Sequence, residues 1–92
     1  MKHYHFLTIS STKEVVTYSS LKNQIVNIYI EKPGLNDFCS ISYELINNTI
    51  KLIDSVDYSF EEIKYWENKL SKLKNIIYEL AEEKMKEETL HA

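Results

Sequence analysis

The C-terminal third of the chain, residues 59–90, reads SFEEIKYWENKLSKLKNIIYELAEEKMKEETL. Its apolar residues recur at alternating steps of three and four, which places them on one stripe of a helix. The stripe consists of Ile63, Trp66, Leu70, Leu73, Ile77 and Leu80. This spacing is the seam pattern of a coiled coil, so the sequence predicts a helix that packs against another surface along its length.

Local signals set the start and the length of this helix. Ser59 and Glu62 have the spacing of a capping box, which predicts a helix start near Ser59. Neither Gly nor Pro interrupts the following residues, so we expect one helix of roughly 30 residues, about 45 Å long. A strand of about seven residues spans only about 23 Å. The distal part of the stripe, at Ile77 and Leu80, is therefore expected to lack cover within the chain.

Two outcomes are compatible with such an overhang. In the first, the stripe is the seam of a homodimer in which two C-terminal helices pack together. In the second, the proximal half packs on the chain's own sheet, and the distal half frays or is merely amphipathic. The pattern favours the homodimer and leaves parallel and antiparallel packing of the two helices open.

The first 57 residues show the alternation that is typical of half-buried β-strands. Apolar and polar residues alternate from Val26 to Ile30 and again from Cys39 to Leu45. The opening segment, Tyr4 to Ile9, is also strand-like but apolar on both sides. Residues 10–23 carry conflicting signals for a short helix and for a strand, with a slight preference for a strand that pairs back on the first.

Two turns connect these strands in the expected fold. Asn47-Asn48 suits a two-residue hairpin turn, because Asn tolerates a positive φ. Pairing the residues on either side of this turn places apolar side chains on one face, with Asp54 opposite Ile41 as the one misfit. The only Pro and the only Gly form the second turn signal, Pro33-Gly34.

Across that second turn, pairing Glu31 with Phe38 extends the same apolar face. The sequence therefore predicts a single α+β domain over residues 1–92. An antiparallel β-meander of four to five strands occupies residues 1–57, and one long C-terminal α-helix occupies residues 58–90.

Composition excludes several classes of function. The chain has 92 residues, a net charge of -3, and 11 basic residues that are all Lys. Because Arg is the usual reader of phosphate and guanine, a sequence-specific nucleic-acid binder is not expected. No stretch approaches the roughly 18 apolar residues of a membrane span, and the first residues do not resemble a signal peptide. We therefore expect a cytoplasmic protein that does not contact membranes.

Residues that could carry chemistry are sparse. His3 and His5 would project from the same face of a strand, as two metal ligands can, but no third ligand follows at a recognisable spacing. Cys39 falls on the predicted apolar face, where a small inert side chain is the expected reading. The sequence predicts no catalytic residue, no metal site and no cofactor.

Tyrosine and serine mark a candidate partner surface. Tyr29, Ser40 and Ser42 lie on the predicted polar face of the sheet, a mixture that adaptable protein-binding surfaces use. Tyr65 and Tyr78 lie beside the helix stripe, where either residue could anchor a partner. An ordinary solvated sheet surface explains the serine-rich face equally well.

These patterns favour a small non-enzymatic protein-interaction module, an adaptor or inhibitor that homodimerises through its helix and binds a larger protein. Compact inhibitors of this size are carried by phages and mobile elements, which is an analogy of type only. The alternative is a small-molecule or nucleotide-sequestering protein whose ligand cleft, at the dimer interface, is lined by Tyr, Ser and Lys and holds a small anionic ligand. An enzyme built from His3, His5 and an aspartate is the least favoured hypothesis.

Overall fold

The computed structural model describes residues 2–35 and 37–90, which form a five-stranded antiparallel sheet followed by one long helix. The strands are β1 (His3–Ile9), β2 (Glu14–Ser19), β3 (Ile25–Pro33), β4 (Phe38–Ile46) and β5 (Thr49–Val56), and the helix is α1 (Phe60–Leu90). Strands adjacent in the chain are adjacent in the sheet. The predicted α+β meander is confirmed, and residues 14–19, where the sequence signals conflict, form a strand that pairs with β1.

Two of the turns have left-handed backbone at both central residues. Asn47 and Asn48 have φ angles of 51° and 60°, which confirms the predicted hairpin turn. Asn23 and Gln24 have φ angles of 53° and 63° and form the same kind of turn between β2 and β3. This second turn is missing from the sequence analysis, because Gln is an uncommon residue at positive φ.

The pairing of β4 with β5 follows the predicted register only in part. Tyr43 lies opposite Leu52 as expected, but Ser42 then lies opposite Asp54. Ile53 is therefore an extra residue in β5, a β-bulge. The bulge moves the Asp54 carboxylate off the apolar face, where an uninterrupted register would have placed it. The misfit in the predicted register thus arose because the sequence pattern did not account for this bulge.

The predicted pairing of Glu31 with Phe38 was wrong by two residues. Glu31 lies opposite Ser40, because β3 continues through Pro33 and the connecting turn is tighter than expected. A shift of two residues keeps every side chain on its predicted face. Gly34 in this turn is required for space, since an added Cβ would overlap the backbone oxygen of Asp37.

The helix begins where the sequence predicts and packs its stripe on the sheet. Ser59 N donates to Glu62 Oε1 at 2.9 Å, and Glu62 N donates to Ser59 Oγ at 3.1 Å, so the capping box is confirmed. Trp66, Leu70 and Ile77 are almost completely buried on the side of the helix that faces the sheet. The sheet contributes the other half of the core with Val16, Tyr18, Val26, Ile28, Ile30, Cys39, Ile41, Tyr43 and Leu45.

The expectation that the distal stripe lacks cover was wrong, since Ile77 is 0% exposed in the single chain. One reason is that β3 and β4 have nine residues each, so each spans about 30 Å. A second reason is that residues in β1 and just after β2 form hydrogen bonds with the distal half of the helix. Leu21 N, just after β2, donates to Ala81 O at 3.0 Å, and Tyr4 OH donates to Glu88 Oε2 at 2.6 Å.

Both edge strands of the sheet carry a bulge. The register of β1 against β2 shifts between His5 and Leu7, and β5 carries the bulge at Ile53. Bulged edges twist away from the plane of the sheet and are poor templates for pairing with another strand. A partner is therefore more easily accommodated by a face or an end of the sheet than by its edges.

Candidate functional site

The predicted dimer seam lies in the core of the chain itself. Its members are buried (Trp66, Leu70, Ile77) or half-buried against the same core (Ile63, Leu73, Leu80). A dimer through this stripe would have to displace the sheet, at a cost of several kcal/mol for each large apolar side chain uncovered. Homodimerisation stays a prediction, and it would have to use other residues.

The three sheet residues of the predicted partner surface lie together on the face that α1 does not cover. Tyr29 on β3 is directly opposite Ser42 on β4, and Ser40 is the next residue of β4 on that face. The His3 ring stacks on the Tyr29 ring, with centroids 4.3 Å apart and planes inclined by 16°. This open face therefore has a stacked aromatic pair beside a row of serines.

The two helix tyrosines do not join that surface. Tyr65 is 55% exposed and accepts a hydrogen bond from Lys69 Nζ at 3.3 Å. Tyr78 is half-buried and lies on another side of α1. The thirteen residues from Tyr65 to Tyr78 correspond to a separation of about 140° around the helix. The five predicted residues thus form one cluster on the sheet and two separate positions on the helix.

Exposed apolar side chains are concentrated at one end and edge of the sheet. Of the nine large apolar residues that are exposed among residues 2–35 and 37–90, six belong to the β3–β4 turn, β4, β5 and the start of α1. We call this group the apolar end, and it comprises Leu35, Phe38, Leu52, Ile53, Val56 and Phe60. The group surrounds the end and edge of the sheet and does not occupy one face, since Leu52 lies opposite the buried Tyr43 and Val56 lies opposite Ser40 on the open face. Exposed apolar residues in such number are typical of interaction sites.

Strand pairing joins the apolar end to the predicted serine row. Val56 lies opposite Ser40, and Phe38 is two residues before Ser40 on the same strand. The apolar end could not be predicted from the sequence, because strand alternation alone does not show that a residue at a sheet end has no neighbour. Leu35 is fully exposed, and the exposed fractions of Phe38 and Phe60 are 61% and 70%.

A buried carboxylate network lies on the helix-covered side of the sheet. Glu14, at the start of β2, is only 7% exposed. Its Oε2 accepts hydrogen bonds from Tyr58 OH at 2.9 Å and from Trp66 Nε1 at 3.0 Å, and its Oε1 accepts one from Thr12 Oγ1 at 2.8 Å. Three donors satisfy the carboxylate, so the geometry supports an anchor that ties β2 to the helix.

A lysine closes this network from the outside. Lys32 Nζ lies 4.5 Å from the centroid of the Tyr58 ring and forms an ion pair with Glu62. The hydrogen bond from Lys32 lowers the pKa of Glu62, and the same bond raises the pKa of Lys32. Burial, reinforced by the hydrogen bond to Glu14, raises the pKa of Tyr58, so its hydroxyl remains a donor.

Sequence reasoning missed Glu14, because its partners lie 44 and 52 residues away in the chain. Nothing near Glu14 distinguishes it from other strand acids such as Glu31 or Glu44. One indirect signal exists: a Trp on a predicted buried stripe needs an acceptor for its indole N–H. That rule predicts an acceptor without identifying the residue.

The two N-terminal histidines have ordinary neighbours. His3 stacks on Tyr29, and His5 Nε2 lies 2.7 Å from Thr8 Oγ1. Among the described residues, no group of three or more His, Cys, Asp or Glu side chains could hold a metal ion. Cys39 lies in the core as predicted, 8% exposed.

Comparison with known proteins found no matching family model, curated protein or solved structure. Within residues 2–35 and 37–90, no helix has the combination of length and apolar character that crossing a membrane requires. The function must therefore be argued from the surfaces of this chain.

Proposed function

We propose that this protein is a non-enzymatic protein-interaction module that binds a larger protein through the apolar end and the adjoining serine row. The observation that carries the proposal is the gathering of six exposed apolar side chains in segments that meet at one end and edge of the sheet. The outer surface of α1 is mostly charged by comparison. The proposal does not use the helix stripe, because those residues are already packed.

The charges around the apolar end support a partner of defined chemistry. Asp37, Asp57 and Glu61 are sequence neighbours of Phe38, Val56 and Phe60 respectively. None of these three acids forms a salt bridge among the described residues. An apolar surface with an acidic rim suits a partner whose own apolar patch is rimmed by Lys or Arg. The same rim disfavours a second copy of this chain, since like charges would face each other.

The surface at this end also has a cavity that is open to solvent. A cavity of about 680 Å³ is lined by the β3–β4 turn together with Lys32, Cys39 and Asp57. Pockets that a partner fills and desolvates are where interface anchor side chains bind. A partner's apolar side chain could insert there while its basic rim pairs with the acids.

Affinity capture with paired variants tests this proposal. The tagged protein is incubated with a lysate of its source organism, alongside a Phe38→Asp variant and a Leu90→Asp control. Leu90 is 81% exposed at the far end of α1, so its replacement changes an apolar surface residue outside the apolar end. We expect Phe38→Asp to lose a partner that the wild type and the control both retain, and the loss to coincide with an unchanged melting temperature.

Two results would count against the proposal. One is a partner retained by Phe38→Asp, and the other is a partner lost equally by both variants. A Tyr65→Asp variant in the same experiment shows whether that helix residue belongs to the partner surface. Raising the salt concentration should weaken capture, because the acidic rim contributes to binding.

A further inference from the structure

A cleft lies at the end of the sheet opposite the apolar end. It has a volume of about 530 Å³, within the range of ligand sites in proteins. Its walls are the β2–β3 turn, the β4–β5 turn and the middle of α1, and its lining residues are Gln24, Leu45, Asn47, Asn48, Lys74, Asn75, Tyr78 and Glu79. Leu45 belongs to this lining but is only 2% exposed, so it leaves little apolar surface for a ligand.

Side-chain amides dominate the polar part of the lining. Gln24, Asn47, Asn48 and Asn75 come from three separate elements and meet around one space. All four residues are exposed to solvent, and within the described part of the chain none of their side-chain amides forms a hydrogen bond with the protein. Each amide therefore offers a donor and an acceptor to a ligand.

Charged and aromatic groups complete the cleft. Lys74 Nζ donates to the backbone oxygen of Asn48 at 3.0 Å, which fixes the turn against the helix. Among the described residues, neither Lys74 nor Glu79 has an ion-pair partner. The Tyr78 ring lies between these two residues along the chain and is half-buried.

The backbone at Gln24 is the unusual feature of this site. Its φ of 63° lies in the left-handed region, where Gly is the favoured residue after Asn23. A Gln at this position strains the turn in exchange for a carboxamide at the cleft. Lys13 has the same φ away from the cleft, so left-handed backbone alone does not mark a site, and the lining residues carry the inference.

We propose that this cleft binds a small adenine ligand, either the nucleoside or its monophosphate. A carboxamide matches the donor and acceptor of adenine N6 and N7, and the Tyr78 ring offers a stacking surface for a base. The Glu79 carboxylate would accept hydrogen bonds from ribose hydroxyls, and the remaining Lys74 protons would contact a phosphate. The site lies within one chain and is independent of the interaction proposed for the apolar end.

An NMR titration of the full chain with adenosine, AMP and ribose 5-phosphate tests this assignment. We expect adenosine and AMP to shift the backbone amide signals of Gln24, Asn48 and Asn75 saturably, with AMP binding more tightly. Ribose 5-phosphate lacks the base and should leave these signals unchanged. An equal response to AMP and ribose 5-phosphate would overturn the adenine assignment.

Two glycine variants separate ligand contact from turn strain. Gln24→Gly removes the carboxamide and relieves the strained φ, so it should weaken adenosine binding by about tenfold or more while the melting temperature is maintained or raised. Lys13→Gly relieves a φ of the same size, 63°, in the β1–β2 turn, away from the cleft. It should leave adenosine binding unchanged.

The remaining outcomes are equally decisive. Absence of saturable shifts with adenosine and AMP at millimolar concentration would refute the site. Equal loss of binding in Gln24→Gly and Lys13→Gly would refute the role of the carboxamide. A Phe38→Asp variant should bind adenosine normally, so failure here leaves the proposed protein partner unaffected.

Discussion

The two halves of α1 carry one apolar stripe but are held to the sheet by different chemistry. In the proximal half, Trp66 is 1% exposed and donates to the buried carboxylate of Glu14. In the distal half, a buried backbone hydrogen bond from Leu21 N to Ala81 O is joined by side-chain contacts on the surface, where Tyr4 donates to Glu88 and Lys84 Nζ lies 4.9 Å from the centroid of the Tyr4 ring. The heptad pattern therefore selects which face of the helix is buried, whereas polar partners distant in the chain determine how firmly each half is held.

The largest effect is expected from truncating the distal stripe. Ile77→Ala should lower the free energy of unfolding by about 2–5 kcal/mol, because Ile77 is fully buried in its own chain. The mass in solution should not change. Urea denaturation and native mass spectrometry measure the two quantities, and Ile76→Ala, at a position 50% exposed, is the neighbouring control. The dimer seam would be supported if the stability of the wild type rose with protein concentration and Ile77→Ala removed that dependence.

Removing the proximal anchor should have the next largest effect. Glu14→Ala leaves the Tyr58 hydroxyl and the Trp66 indole N–H buried without an acceptor, at an expected cost of about 2–4 kcal/mol. Glu14→Gln keeps one acceptor oxygen and should cost less. Denaturation curves for both variants test this ranking. If the two costs were equal and small, the network would not be the anchor of the proximal half.

Acid should weaken the proximal half through Glu62. Its pKa is lowered from 4.5 in the folded protein, chiefly by the hydrogen bond from Lys32. A lowered folded pKa contributes stability that is present above the unfolded value and is lost as the pH falls through the folded value. Melting temperatures between about pH 6 and about pH 3 should therefore fall less in Glu62→Gln than in the wild type. At neutral pH, the partly exposed ion pair itself should contribute less than about 1 kcal/mol.

The smallest effect concerns the distal surface tether. The hydrogen bond to Glu88 raises the pKa of Tyr4 to about 12, so the phenol remains a donor throughout the neutral range. Tyr4→Phe should speed amide hydrogen exchange in the last two turns of α1 and leave exchange around Trp66 unchanged. A rise in exchange along the whole helix would show that the two halves are held as one unit.

Several elements could be predicted from local sequence because their causes are local. The capping box at Ser59, the turn at Asn47-Asn48 and the alternation of β4 depend on residues within a few positions of one another. Register was harder, since a bulge at Ile53 and a two-residue shift at Glu31 both satisfy the same alternation. The part of the helix that the rest of the chain covers was underestimated, because the sequence does not show that Leu21 contacts the distal half of the helix.

The candidate surfaces divide in the same way. Tyr29, Ser40 and Ser42 were predicted to share a face, and their cross-strand positions confirm it. The apolar end and the cleft each combine elements that are distant in the chain, so no local pattern predicts them. The hydrogen-bond acceptor of the Trp66 indole could not be predicted for the same reason. Glu14 approaches Trp66 only after the strands between them have folded.

Local sequence was enough to predict the helix, the last three strands and the apolar side of each, because periodicity, capping and turn chemistry act between near neighbours. Only the tertiary structure decided that the helix stripe is covered by its own sheet, that Glu14 is buried, and that apolar side chains remain exposed at one end. Those outcomes depend on where separate segments meet, which burial of the core as a whole determines.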